Sequence, residues 1–135
     1  AILNEARDTQ FNGFSDETIV GHLHLHVSEL IETKKFYQSI LGLDTVIEIP
    51  NSAVFMSYGK YHHHIAINVW NGKGVKQADS TTPGLIVANL SVPSIDFLNK
   101  VETRLNETKY PYTKKDHSLI VNDPSGNQYQ LILNS

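Results

Sequence analysis

The chain has 135 residues, is 40% hydrophobic and carries a formal charge of −3, which suffices for one compact domain and is too short for two large ones. Lysine and arginine are scattered, leaving neither an electrostatic footprint for nucleic acid nor a basic amphipathic helix for a membrane surface. With no cysteine, disulfides and thiolate ligands are excluded, so any metal would be held through nitrogen and oxygen. No signal-like start and no apolar run long enough to cross a bilayer is present, and the composition reads as that of a soluble, cytoplasmic protein.

Residues 1–18, "AILNEARDTQFNGFSDET", are polar and turn-rich, with a turn signal at Asn12-Gly13, and read as a linker or arm. The opening on Ala1 rather than Met is what an excised fragment would show. From Ile19 to Val27 the pattern is that of a strand. Its segment "GHLHLHV" puts His22, His24 and His26 on one face and Leu23, Leu25 and Val27 on the other, because alternate side chains of a strand share a face. "SELIETKKFYQSILGL" then changes to helical spacing: Ser28 is the expected cap, Gly42 the stop, and Thr33, Phe36, Tyr37, Ile40 and Leu41 the buried stripe. "DTVIEI", "AVFMSY" and "HHHIAINVW" predict three further strands, parted by Pro50-Asn51 and by Gly59.

The same order recurs after the polar hinge "GKGVKQADSTTPG". "LIVANLSV" is a strand, Pro93-Ser94 starts a helix with Phe97, Leu98, Val101 and Leu105 as its stripe, and "YPYTKK", "HSLIVND" and "NQYQLIL" follow as strands. Asp123-Pro124-Ser125-Gly126 reads as the turn between the last two. The predicted class is therefore α+β: two βαβββ modules, about 19–72 and 84–134 of a domain 19–135, forming a cup-shaped mixed sheet with the helices on its outer face. Whether the modules of one cup belong to one chain or are exchanged in a homodimer is left open by the 73–84 loop.

Strand parity makes His22, His24 and His26 the cup side of the first strand and places His62, His64, Ala66 and Asn68 on the same side of the fourth. By this count His63 faces the other way, His117 is an exposed strand opener, and "NGKG" is a turn without the context of a nucleotide loop. Tyr58 and Trp70 either border the cavity or join the core. A face of five imidazoles is equally compatible with metal or ligand contact and with a hydrogen-bonded polar lining.

"GHLHLHVSELIETKKFYQSILGLD" together with "DPSGNQYQLIL" resembles the vicinal oxygen chelate superfamily, that of glyoxalase I, bleomycin-resistance proteins and extradiol dioxygenases. "GHLHLHV…GKYHHHIAINVWNGKG…DPSGN" is similar to the C-terminal half of two-domain catechol 2,3-dioxygenase-like proteins. The resemblance implies metal ligands at His22, at or beside His64, at Val87 and at Gln130. Valine cannot ligate and an amide replaces the usual carboxylate, so it implies a divalent ion (Fe, Mn, Ni or Zn) held weakly by His22, His64 and Gln130, with His24, His26, His62 and Asn68 lining the cavity. Three readings follow: a metal-dependent dioxygenase or glyoxalase-like lyase domain, a non-catalytic module of the bleomycin-resistance type that binds a small planar or aromatic molecule, and a structural half supporting an N-terminal partner domain.

Overall fold

The computed structural model describes residues 13–79 and 81–133; the expected arm is thus described only from Gly13 onward, and Asn12 of its turn signal lies outside the described residues. Two four-stranded mixed sheets and two principal helices make up the fold, in the order that the sequence pattern predicts. In the first module, β1 (Leu23–His26), helix α1 (Leu30–Phe36), β2 (Asp44–Ile49), β3 (Ala53–Ser57) and β4 (Ile65–Asn68) form a sheet of order β1-β4-β3-β2. The second repeats it with β5 (Ala88–Val92), α2 (Ile95–Glu107), β6 (Tyr112–Lys115), β7 (Ser118–Asn122) and β8 (Gln128–Leu133), in the order β5-β8-β7-β6. Each first strand runs parallel to the last strand of its module, and the other pairs are antiparallel.

The helical stripes behave as their spacing demands. Thr33, Phe36, Tyr37, Ile40 and Leu41 are all buried, as are Leu98, Val101 and Leu105, while Phe97 is half-buried. Leu23 and Leu25 pack against the same core and Val27 lies within it, so the leucine side of β1 is the helix side and the histidine side faces away. One continuous hydrophobic core contains residues of both modules.

Local boundaries depart from the sequence pattern where distant contacts intervene. Ser28 does not cap α1; its N–H donates to Ser125 Oγ at 2.8 Å, and the capping acceptor is the Glu29 carboxylate, which receives Ile31 N–H. After Phe36 the helix widens into a π-helical turn, Tyr37–Leu41, which ends at Gly42 in the left-handed region (φ 74°), a backbone geometry that costs glycine little. Ser94 caps α2 as expected, accepting from Phe97 N–H at 3.2 Å. The first strand is shorter than predicted, beginning at Leu23 rather than Ile19, and the fourth begins only at Ile65.

The two modules are fastened at one buried polar knot. Tyr37, inside the apolar stripe of the first module, directs its hydroxyl to Asp123 Oδ2 at 2.7 Å and meets the Tyr129 hydroxyl at 2.7 Å. A phenol has one proton. Since Tyr37 gives its own to the carboxylate, Tyr129 is the donor in the tyrosine pair. Asp123 also orders its own turn, its Oδ1 accepting from the N–H groups of Ser125 and Asn127 and its Oδ2 from Asn127 Nδ2, each at 2.9 Å.

Candidate functional site

The histidine face is built by β1, by the 58–64 connection and by the end of β4. His24 stands in register with Ala66, itself opposite Phe55. Its ring lies 5.6 Å from Phe55 and 4.9 Å from Trp70, so an imidazole is in contact with two aromatic rings. Trp70 is 62% exposed: it borders the histidine face and is not a core residue. Its N–H donates to Asn68 Oδ1 at 3.0 Å and its indole Nε1–H to Ser52 Oγ at 2.9 Å, which hold the ring in place. Asn68 is therefore a buried positioning group here, while His26 has both ring nitrogens buried without a hydrogen-bond partner.

His63 corrects the parity argument. Its ring packs 4.5 Å from that of His22, 5.2 Å from Phe55 and 4.6 Å from His62, which joins it to the histidine face instead of the opposite one. The cause is local: residues 58–64 form bends and turns ahead of β4, with Gly59 at φ 74°, and alternation holds only inside a strand. His62 and His63 approach Nδ1 to Nδ1 at 2.8 Å, so one ring carries a proton at Nδ1 and the other presents a bare nitrogen.

His64 is the most firmly held member. Its N–H donates to Met56 O and its carbonyl accepts Leu23 N–H, both at 2.9 Å, splicing it between β3 and β1. The Tyr58 N–H donates to His64 Nδ1 at 3.2 Å, and Tyr61 stacks on the ring at 4.7 Å. An imidazole whose Nδ1 accepts carries its proton on Nε2, so His64 presents an Nε2–H donor. His22 and His64 line one cavity of about 680 Å³ between the modules. Gln130 is not among its lining residues; it sits on β8 in register with Asn89 and donates to Ser118 Oγ at 3.1 Å.

Burial, and after it the proximity of His22, His62, His24 and His64, pushes the His63 pKa below 6.5; burial, then His62, lowers that of His64. A group with a depressed folded pKa gains protons first in the unfolded chain. Its stabilising contribution is complete above pH 6.5 and is lost as pH falls through the lower folded values. In protein kept metal-free with chelator, NMR titration of the ring protons should give midpoints below 6.5 for both residues. Midpoints at or above the ordinary value would show that the two rings are neither buried nor crowded by their neighbours as the structure has them.

No family model matches the sequence. Over 129 residues, 95% of this chain, it is 36% identical to a Bacillus subtilis protein named catechol-2,3-dioxygenase, and it spans 45% of that protein's length. A glyoxylase/bleomycin resistance protein/dioxygenase domain from Frankia sp. superposes with a TM-score of 0.69 at 22% identity, over 87% of this chain and 98% of that one. Lactoylglutathione lyase from Agrobacterium tumefaciens gives 0.64 at 17% identity, over 89% and 96%. The chain has the fold of these lyase and dioxygenase domains, which is that of the vicinal oxygen chelate superfamily.

The donor set that the superfamily resemblance implies does not fit a resident dication in this chain. His22 and His64 share a cavity, but Val87 on its wall offers only hydrocarbon, and the neutral amide of Gln130 is engaged by Ser118. Among the described residues no three histidine, aspartate or glutamate side chains are placed to hold a metal ion. A dication meeting two imidazoles lacks the anionic ligand that helps hold it. Nor, among the described residues, is any helix long and apolar enough to cross a membrane.

Proposed function

We propose that this superfamily domain is one half of a catechol-2,3-dioxygenase-like protein and that its histidine face receives a small planar aromatic molecule bearing oxygens. The observation that carries the reading is the contact of His24 with both Phe55 and Trp70, on a face where His22 and His62 are also exposed. Flat aromatic walls offer stacking and edge contacts to a ring. Neutral imidazoles at its border offer both hydrogen-bond donors and acceptors to hydroxyl oxygens. The B. subtilis relative's name supports an aromatic diol as the molecule, and the span of less than half that relative's length supports a larger protein in which another domain stands beside this one.

The misfit of the donor set favours binding without turnover in this chain by itself, the behaviour of a bleomycin-resistance-type module. Calorimetric titration with catechol should show saturable binding that His24→Ala weakens about fivefold or more, as expected for losing a ring contact worth about 1 kcal/mol. Anaerobic loading with ferrous, manganous, nickel or zinc ions should leave less than one ion retained after desalting, with little ring-cleavage product formed. Absence of saturable catechol binding would overturn the reading of the face. One-to-one metal retention with rapid cleavage would overturn binding without turnover and make this half the catalytic one.

A further inference from the structure

Asn68 stands in register with His26 on one side and with Ala53 on the other. Asn68 is 7% exposed and Ala53 is 0% exposed, although this is the side of the sheet turned away from α1 and His24, two residues back along β1, is open to solvent. What crosses them is the indole of Trp70. Its ring lies 4.9 Å from that of His24 on β1, and its Nε1–H reaches Ser52 Oγ at the start of β3. Those contacts fall on opposite flanks of β4, so the indole spans the row formed by His26, Asn68 and Ala53. In that row both ring nitrogens of His26 are buried and meet no hydrogen-bond partner among the described residues. A buried polar group left so is costly and calls for a physical reason.

The indole is 62% exposed and has one N–H to give. Its acceptor is firmly placed: Ser52 N–H donates to Ile49 O at 3.0 Å and Ser52 O accepts Val69 N–H at 3.1 Å. The turn behind Trp70 is fixed as well, with Gly72 N–H on Val69 O and Gly74 N–H on Ser28 O, each at 2.9 Å. Rotation of the Trp70 side chain away from Ser52 is the motion this frame leaves free.

We propose that Trp70 is a lid over His26, latched by the Ser52 hydroxyl, and that opening it admits one hydroxyl of an aromatic diol to the His26 ring. A neutral imidazole offers a donor on one nitrogen and an acceptor on the other, so the hydroxyl supplies the partner that the ring lacks when the lid is shut. The choice of ligand rests on the reading of the histidine face as a diol site. His26, Ser52 and Trp70 all stand outside the positions to which the superfamily resemblance gives metal ligands.

Carbethoxylation of the intact, metal-free chain with diethyl pyrocarbonate, followed residue by residue by mass spectrometry, tests the lid without a ligand. His26 should react more slowly than exposed His22 and His117. Ser52→Ala should speed His26 about fivefold or more and leave His117 within about twofold, as local opening requires; Ser52→Thr, which keeps a hydroxyl, should match the parent. Equal His26 rates in the parent and Ser52→Ala would overturn the lid. Calorimetric titration with catechol tests what it covers. Since apparent affinity scales with the open fraction, Ser52→Ala should bind about threefold tighter, whereas loss of a residue that merely steadied an aromatic wall would weaken binding. His26→Leu should weaken catechol about fivefold, as for a lost neutral hydrogen bond, and abolish the gain from Ser52→Ala. Weaker binding in Ser52→Ala, or unchanged affinity in His26→Leu, would overturn His26 as the covered site. Binding of catechol to none of these proteins would overturn the diol reading of the face and this ligand with it, while the labelling still decides the lid.

Discussion

Asp123→Ala is expected to destabilise the fold by about 3–5 kcal/mol, the range in which removal of a buried, multiply hydrogen-bonded group falls. The side chain is 3% exposed and accepts from Tyr37 Oη, from Asn127 Nδ2 and from two backbone N–H groups. Each donor stranded in the interior costs about 1–3 kcal/mol, and water entering the space left by the carboxylate recovers part of the sum. The Tyr37 hydroxyl pays no such cost in the native protein: burial first, then Tyr129 and Asp123, hold its pKa well above 10.0, so it remains a donor throughout the neutral range. Tyr37→Phe removes the donor to Asp123 and the acceptor of the Tyr129 hydroxyl but leaves the turn intact, and should cost about 1–2 kcal/mol. Urea unfolding measures both. Equal losses in the two variants would mean that the turn contacts contribute nothing and that only the bridge between the modules matters.

Ile65→Ala should cost about 2–4 kcal/mol, within the range seen for buried isoleucine truncated to alanine. Ile65 is 2% exposed, packs into the shared core and also borders the cavity between the modules. Truncation there enlarges an existing space, so the lost transfer free energy dominates over the opening of a new void. It follows His64 directly and pairs with Leu23 across the β1–β4 ladder, so the same substitution should also broaden the His64 ring resonances. A urea midpoint unchanged from the parent, at equal slope, would show that the β4 start is not part of the cooperative core.

The parts of this architecture governed by short-range periodicity were legible in the sequence. Period two sorted Leu23, Leu25 and Val27 from the β1 histidines, and period 3.6 found both buried helical stripes. The Asp123–Gly126 turn was legible as well, and the structure closes it with Gly126 N–H on Asp123 O at 2.9 Å. What could not be read were features set by contacts between residues far apart in the chain. Ser28 satisfies every local criterion for a cap, yet its N–H serves Ser125 in the other module. Asp123 reads as a turn residue until Tyr37 is seen across from it. A weak signal was available: a tyrosine inside an otherwise apolar helical stripe needs a partner for its hydroxyl when buried. His63 was misassigned because strand alternation was extended through residues that bend, and the site at His64 was visible only as a histidine, not as a donor of fixed tautomer.

The pairing of each first strand with its module's last strand has a kinetic consequence. Among the described residues β1 has β4 as its sole sheet neighbour and β5 has β8, partners roughly forty residues apart in sequence. Neither opening strand can enter a sheet until the closing strand has been made, and loop closure over such a span comes before any ladder forms. Folding should accordingly run in the slower range of mixed domains with many non-local contacts. During synthesis the first module becomes closable once Asn68 is free of the ribosome, whereas β5 must wait for Leu133. A nascent chain stopped short of β8 would therefore carry a finished sheet beside an unpaired, aggregation-prone strand.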